Sequence, residues 1–400
     1  MFQRNSLHSE HLYPLRPFIL IDTKIVGGPG KGLFQFLRCA RHAAPHGFEP
    51  TVAHFCYSDE PTEFELRAEA EGVPLLSLPA RSPIDREALA LAAATMRARG
   101  CNAIQSHGYK SHLYAAFLKN LIAVPWVAFA HGWTAENAKV RLYHSLDRLL
   151  LPRADAVVAV SQTLYTTIRA WRGSGSPTVL IENGVDAPPK AEAAVRAEIR
   201  NAIGVTPNDI VVGAFGRLSA EKGHRFLLEA FNAVAQDERN LSLLIIGSGP
   251  ERRILEELKH RGPAPARITF LPHTSDIGRY FEAIDLLALP SLSEGLPNVL
   301  LEAMSHSLPV IATAVGAVPT VLKSGCNGLV VPPHDPGRLG EALRQLSRDG
   351  SLRTKLGAAG KSSLYPRFSP IERARAILFL YRALVSPRRF DYPQAAAAHL

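Results

Sequence analysis

Leu286-Leu287-Ala288-Leu289-Pro290-Ser291-Leu292-Ser293-Glu294-Gly295-Leu296-Pro297-Asn298-Val299-Leu300-Leu301-Glu302-Ala303-Met304-Ser305 is the most informative stretch of the chain. Four apolar residues end at a proline, a Ser/Gly/Pro turn follows, and a helical pattern opens at Asn298. Strand, turn and helix in that order form the unit of a parallel α/β sheet. Glu294 and Glu302 are eight positions apart, so on a continuous helix roughly 12 Å of rise separates them. They therefore do not share one proton. This reading places Glu294 at the mouth of a cleft and Glu302 deeper along the same helix, with the free N–H groups of the helix start facing an anion. Spacing alone more often marks a capped surface helix with two solvated glutamates.

The same grammar extends outward in both directions. Strands are expected at Ile210–Phe215, Leu241–Ile246, Ile268–Leu271, Val310–Ala312 and Leu329–Val331, alternating with helices. Before them lie Phe18–Ile21, Thr51–Phe55, Leu75–Leu78, Ala103–Ser106, Trp126–Ala130, Ala156–Val160 and Thr178–Ile181, separated by helical patterns such as Leu33–His42 and Arg86–Arg99. These runs lack clean alternation, as expected where helices cover both faces of a sheet. Ala187 to Lys190 carries two prolines and reads as a linker. The expected domains are residues 1–188 and 189–370, with a last helix over 371–385 packing back on the first domain and a tail over 386–400. Ligands of such sheets bind beyond the carboxyl ends of the strands.

Bulk composition agrees with two globular domains. The chain has 400 residues, of which 46% are hydrophobic and 20% charged. Cys39, Cys56, Cys101 and Cys326 form no C-x-x-C pair, which argues against a zinc knuckle or a disulfide framework and for a reducing cytosol. The best apolar stretch, Leu121 to Ala130, is too short for a membrane span and contains Pro125. The N-terminus offers only the run Pro17–Ile21, so no signal peptide is expected. A formal charge of +9 and a pI near 9.5 favour anionic partners. Nucleic acid is not expected, because no helix-turn-helix, zinc finger or RNA-stacking motif is present.

A second cluster sharpens the chemistry. Gly216-Arg217-Leu218-Ser219-Ala220-Glu221-Lys222-Gly223 follows the first strand of the second half. Two fixed cations in a strand-to-helix loop can neutralise charge on a leaving diphosphate without a metal. The plainer reading is a surface loop whose Lys and Glu pair with each other. In the first half, Asp22-Thr23-Lys24-Ile25-Val26-Gly27-Gly28-Pro29-Gly30-Lys31-Gly32 forms a glycine-rich turn after a strand. It is no nucleoside-triphosphate loop, since Ile25 and Gly32 stand where Gly and Ser or Thr are required. Close backbone approach to a phosphate and a purely structural turn both remain open for it. His131-Gly132 ends the strand Trp126–Ala130 at the cleft edge, and Ser106-His107-Gly108-Tyr109-Lys110 precedes it on the same side. A lone histidine there is as readily a hydrogen-bonded structural group as a functional one.

In these motifs the chain resembles the retaining glycosyltransferases of the GT-B fold, specifically glycosyltransferase family 4. Glu294-x7-Glu302 matches the family's E-x7-E, and Gly216-Arg217 with Lys222-Gly223 matches its G-R…K-G. Ile246-Gly247-Ser248-Gly249-Pro250-Glu251, Pro290-Ser291, Val315-Gly316 and Asn327-Gly328-Leu329-Val330 fall in the same order. The resemblance implies two Rossmann-like doubly wound domains facing across a cleft. It implies that Arg217 and Lys222 hold the diphosphate of a nucleotide-sugar donor, that Glu294 and His131 meet the donor sugar, and that Glu302 binds the ribose hydroxyls. Gly28, Gly30, Gly216, Gly295, Leu296 and Asn298 then line the donor site. No cofactor and no metal are implied; the donor is UDP- or GDP-linked, and the acceptor is a saccharide or lipid-linked acceptor of the bacterial envelope. Where the family often has G-G-x-P-E, this chain reads Gly316-Ala317-Val318-Pro319-Thr320. Asn183-Gly184-Val185-Asp186 reads as hinge geometry. The pattern Lys139 to Arg153, with Leu142, Leu146 and Leu149 beside Arg141 and Arg148, fits a core-facing helix or a patch resting on anionic lipid at the inner membrane face. A sugar-nucleotide epimerase of similar fold and a non-catalytic nucleotide-sugar-binding protein are the competing functions.

Overall fold

The computed structural model describes residues 14–58, 60–132, 145–173, 175–190 and 192–386. Seven parallel strands form the first sheet: β1 (Pro17–Ile21), β2 (Thr51–Cys56), β3 (Leu75–Pro79), β4 (Ala103–His107), β5 (Trp126–Ala130), β6 (Ala156–Ala159) and β7 (Thr178–Leu180). Six more form the second: β8 (Ile210–Phe215), β9 (Leu241–Ile246), β10 (Ile268–Leu271), β11 (Leu286–Leu289), β12 (Val310–Thr313) and β13 (Leu329–Val331). The orders are β3-β2-β1-β4-β5-β6-β7 and β10-β9-β8-β11-β12-β13. Winding reverses between β1 and β4 and again between β8 and β11. Each reversal opens a crevice at the carboxyl end of the sheet, and the marked loops of the sequence leave the sheets there. The architecture is the GT-B fold.

Apolar runs become strands because both sheet faces are covered. Each sheet separates two buried clusters: Ile19, Ile21 and Val127 face one side of the first sheet, while Phe18, Leu20 and Ala128 face the other. The helix Pro370–Val385 begins at Ser369, whose hydroxyl accepts from the Glu372 N–H, with Pro370 in the first turn. It lies along the helix Gly28–Ala43, and Ala374, Ile377, Leu378, Leu380 and Tyr381 complete the core under β1. The end of the described chain therefore packs on the first sheet.

One boundary departs from the sequence reading. Helical periodicity begins only at Leu33, yet the helix starts at Gly28, and the Lys31 N–H closes its first turn on the Gly27 carbonyl at 2.9 Å. Glycine is a poor helix former, but Pro29 in the first turn sacrifices no hydrogen bond and presets φ. Gly28 and Gly30 thus belong to a helix start rather than to a loop.

Ile377→Ala should destabilise the first domain by about 3 kcal/mol, since it empties a fully buried site. Hydrogen exchange should show β1 amides losing protection while those of β8 keep theirs. Equal loss in both sheets, or none, would contradict this packing.

Candidate functional site

Three loops of the second domain are locked together at the carboxyl edge of β8, β11 and β12. Gly223 adopts φ +65°, and a Cβ there would lie 2.1 Å from the Pro290 carbonyl oxygen. Gly316 adopts φ +54°, and its Cβ would lie 2.0 Å from the Glu294 carbonyl oxygen. Neither position admits a side chain. The Leu292 N–H also donates to the Glu221 carbonyl at 2.7 Å, and the Ala317 N–H to the Gly295 carbonyl at 2.9 Å. Leu296 anchors the turn by burying its side chain among Leu289, Leu300 and Val318.

That scaffold sets the acidic pair. Glu294 accepts from Lys222 Nζ at 2.8 Å and from Ser291 Oγ at 2.6 Å on the same oxygen. Glu302 accepts from Lys31 Nζ at 2.8 Å. The two carboxylates do not share one continuous helix: Glu294 lies in the bend, four residues before the helix Asn298–Ser305 begins. Exposure also runs opposite to the expected depth, with the Glu294 side chain 7% exposed and Glu302 23%. Lys222 and Ser291 hold the Glu294 carboxylate inward, while Gly316 packs against the backbone of the bend. Arg217 lies on the loop directly after β8 and is exposed. Gly216 precedes it at φ +152°. Thr320 faces away from the carboxylates: its hydroxyl donates to the Ala317 carbonyl, and its own carbonyl accepts from Arg367.

The two domains meet at the start of the helix Asn298–Ser305. Pro297 supplies no side-chain cap, so the Asn298 and Val299 N–H groups keep their hydrogen-bonding capacity for a ligand, while the Leu300 N–H donates to the Pro297 carbonyl at 3.2 Å. Asn298 Oδ1 accepts from Asn183 at 2.8 Å, and its Nδ2 lies 3.5 Å from where a Cβ of Gly28 would stand. A Cβ on Gly295 would lie 3.1 Å from the His131 carbonyl oxygen. Gly30, by contrast, is turned into the first domain against the Phe64 ring, away from Asn298. A cleft of about 250 Å³ runs from here beside Glu302, lined among others by Lys31, Asn183, Asp186, Asn298 and His306. Arg217, Lys222, Glu294 and His131 stand outside that cavity. The hinge residues are braced: the Val185 N–H donates to the Phe368 carbonyl at 2.9 Å, and Arg38 pairs with Asp186 at 2.6 Å.

His131, half-buried, joins the buried His107. Its Nε2 meets His107 Nδ1 at 2.8 Å, and His107 Nε2 meets Gln105 Nε2 at 2.6 Å. Burial pushes His131 down to about 3, helped by the nearby Arg373 cation. Burial likewise drives His107 well below the ordinary histidine range. Residues 139–144 of the basic pattern lie outside the described residues. Of its remainder, Leu149 is exposed, and Arg148 stacks 5.6 Å over the Trp171 ring.

Two family profiles cover most of the chain: one described as Glycosyl transferases group 1 matches residues 209–349, and a Glycosyl transferase 4-like domain matches residues 34–184. The chain belongs to glycosyltransferase family 4. It is 28% identical to the D-inositol 3-phosphate glycosyltransferase of Corynebacterium urealyticum, over 70% of this chain and 71% of that one. It is 27% identical to the lipopolysaccharide core biosynthesis mannosyltransferase LpsB of Rhizobium meliloti, over 62% of this chain and 71% of that one. In fold it matches the crystal structure of Anabaena HepE in complex with UDP-glucose, with a TM-score of 0.79, 20% identity and coverage of 92% and 100%. Among the described residues, no helix of this glycosyltransferase is long and apolar enough to cross a membrane.

Sequence reasoning missed several groups near the cleft. Lys31 pairs across the domains with a residue 271 positions away, and no local signal marks such a partner. Gln105 meets His107 from two residues earlier on β4, and Tyr381 reaches Gln105 only through the returning helix. Tyr57 was not singled out either; it joins Asp22 and Lys110, both within stretches the sequence marks, with its hydroxyl 2.9 Å from Asp22 and 3.1 Å from Lys110.

The buried histidines make the fold acid-labile. Burial holds His112 and His131 at about 3 and His224 at about 4, whereas an unfolded histidine protonates near 6.5. The folded values are lowered, so the unfolded chain takes up protons first. Their contribution is complete above pH 6.5 and is lost as pH falls toward 4, at about 2 kcal/mol per histidine by pH 5. Calorimetry should show the unfolding midpoint dropping steeply between about pH 6.5 and pH 5. A flat midpoint over that interval would refute this reading.

Proposed function

We propose that this glycosyltransferase moves a sugar from a UDP- or GDP-linked donor to an acceptor hydroxyl with retention at the anomeric carbon and without a metal ion. The observation that carries the proposal is the double ion pair: each glutamate of the E-x7-E motif is held by a lysine, one at either side of an uncapped helix start. Each lysine can exchange its carboxylate for an anionic ligand. A diphosphate at the helix start draws Lys222 away from Glu294, which frees Glu294 for sugar hydroxyls. At the other end, displacement of Lys31 frees Glu302 for the ribose diol. Arg217, exposed on the same loop as Lys222, adds a second positive charge.

The diphosphate departs while Arg217, Lys222 and the helix N–H groups meet its growing charge. The acceptor hydroxyl attacks from the same face, and the departing phosphate oxygen takes its proton. Closing the cleft excludes water that would hydrolyse the donor. HepE was solved with UDP-glucose, and LpsB is a mannosyltransferase of lipopolysaccharide core synthesis. The first supports a nucleotide-sugar donor, and the second supports an acceptor of the bacterial envelope. Exposed Leu149 beside Arg148 supports contact with an anionic lipid surface on the cytoplasmic side.

A thermal-shift screen of nucleoside diphosphates and their sugars should identify the base by its largest stabilisation. With the selected donor and a saccharide acceptor, NMR of the first product should show the donor's anomeric configuration, and EDTA should leave the rate unchanged. Arg217→Ala should lower kcat on the order of a hundredfold. An inverted product, metal-dependent turnover or near-normal Arg217→Ala would each remove the corresponding part. Release of an altered sugar nucleotide without acceptor would favour an epimerase instead.

A further inference from the structure

The histidine group beside the cleft has a defined proton order. Tyr381, on the returning helix, donates its hydroxyl to Gln105 Oε1. An amide oxygen only accepts and an amide nitrogen only donates. Gln105 Nε2, 2.6 Å from His107 Nε2, therefore requires that ring nitrogen to be bare. Neutral His107 then carries its proton on Nδ1 and donates it to His131 Nε2 at 2.8 Å. His131 Nε2 is bare in turn, and the imidazole proton stands on Nδ1. That nitrogen has no hydrogen-bond partner among the described residues.

The supporting packing favours this chain. Gln105 and His107 alternate on β4 and so share one sheet face. The intervening Ser106 turns to the other face, where it bonds His112 and Trp126 and stays outside the chain. The His107 and His131 rings stack with centroids 5.1 Å apart, and the Phe129 ring lies 4.9 Å from His107. Arg373 lies buried nearby, donates to the Gly32 carbonyl at 3.0 Å and has no carboxylate partner among the described residues. Its uncompensated charge opposes any further proton on His107 or His131.

We propose that Tyr381, Gln105 and His107 are positioning residues that set the tautomer of His131, whose carbonyl lies against Gly295, holding it as a neutral imidazole whose Nδ1–H donates to a substrate oxygen. The donor half rests on the sugar transfer proposed above and on the family resemblance that sets His131 beside the donor sugar; the tautomer half does not. A hydrogen-bond donor that stays uncharged holds a hydroxyl or ring oxygen in place without competing with Arg217 and Lys222 for the diphosphate.

Long-range 1H–15N correlation spectra of protein labelled at histidine nitrogen, with His131 assigned from a His131→Ala sample, read the tautomer of the native enzyme directly. Protonated Nδ1 and bare Nε2 on His131 are expected. The opposite tautomer, or an imidazolium at neutral pH, would overturn the proposal whatever the enzyme's activity. His107→Phe keeps the ring stack but removes the donor, and His131 should shift toward Nε2–H; an unmoved tautomer would refute the relay. In turnover of UDP-glucose or GDP-mannose, whichever the enzyme accepts, His131→Ala should lose about tenfold in kcat/KM. His131→Asn, whose amide N–H stands where Nδ1–H does, should recover most of it. Equal losses in both variants would remove the donor role and leave the tautomer result standing on its own.

Discussion

A nearly buried carboxylate has to be paired, and the pairing of Glu294 organises the second domain's side of the cleft. Its partner Lys222 comes from the loop after β8, Ser291 from the turn after β11, and Gly316 from the loop after β12. No single strand provides the site. The parallel, doubly wound sheet brings all three loops to one edge, and two glycines allow them to touch backbone to backbone. In the structure described here the pair satisfies itself. In the proposed exchange, a ligand richer in negative charge than one carboxylate takes the lysine over.

The first domain meets this edge through contacts that leave little room for change. Lys31 pairs with Glu302, Asn183 with Asn298, and the His131 carbonyl lies against Gly295. All of them converge on one short helix start. The returning helix Pro370–Val385 then ties the second domain's chain end into the core behind the glycine-rich helix, where Arg373 holds the Gly32 carbonyl and Tyr381 holds Gln105. A shift between the domains consequently reaches the cleft from behind as well as from the front.

The strands were legible because each is a short apolar run, and Trp126–Ala130, Ile210–Phe215 and Leu286–Leu289 begin and end where sequence places them. The helix at Asn298 was legible from its turn. Less readable was the helix start at Gly28, because glycine propensity argues against helix while Pro29 and the buried Leu33 enforce it. The relative depth of Glu294 and Glu302 was misjudged, since Glu294 is drawn inward by Lys222 and Ser291 from two separate loops. Partners such as Lys31 and Tyr381 leave no local trace, being set by how the domains and the last helix dock. Motif residues announce a site; the groups that hold them do not.

Isothermal titration calorimetry of UDP and GDP in the presence of EDTA, on the native enzyme and on Lys222→Met, addresses the exchange of Glu294 for a diphosphate most directly. Saturable binding of one nucleotide is expected, weakened about tenfold or more when the lysine charge is removed. Equal affinity in both proteins, or no binding of either nucleotide without a divalent ion, would contradict the account.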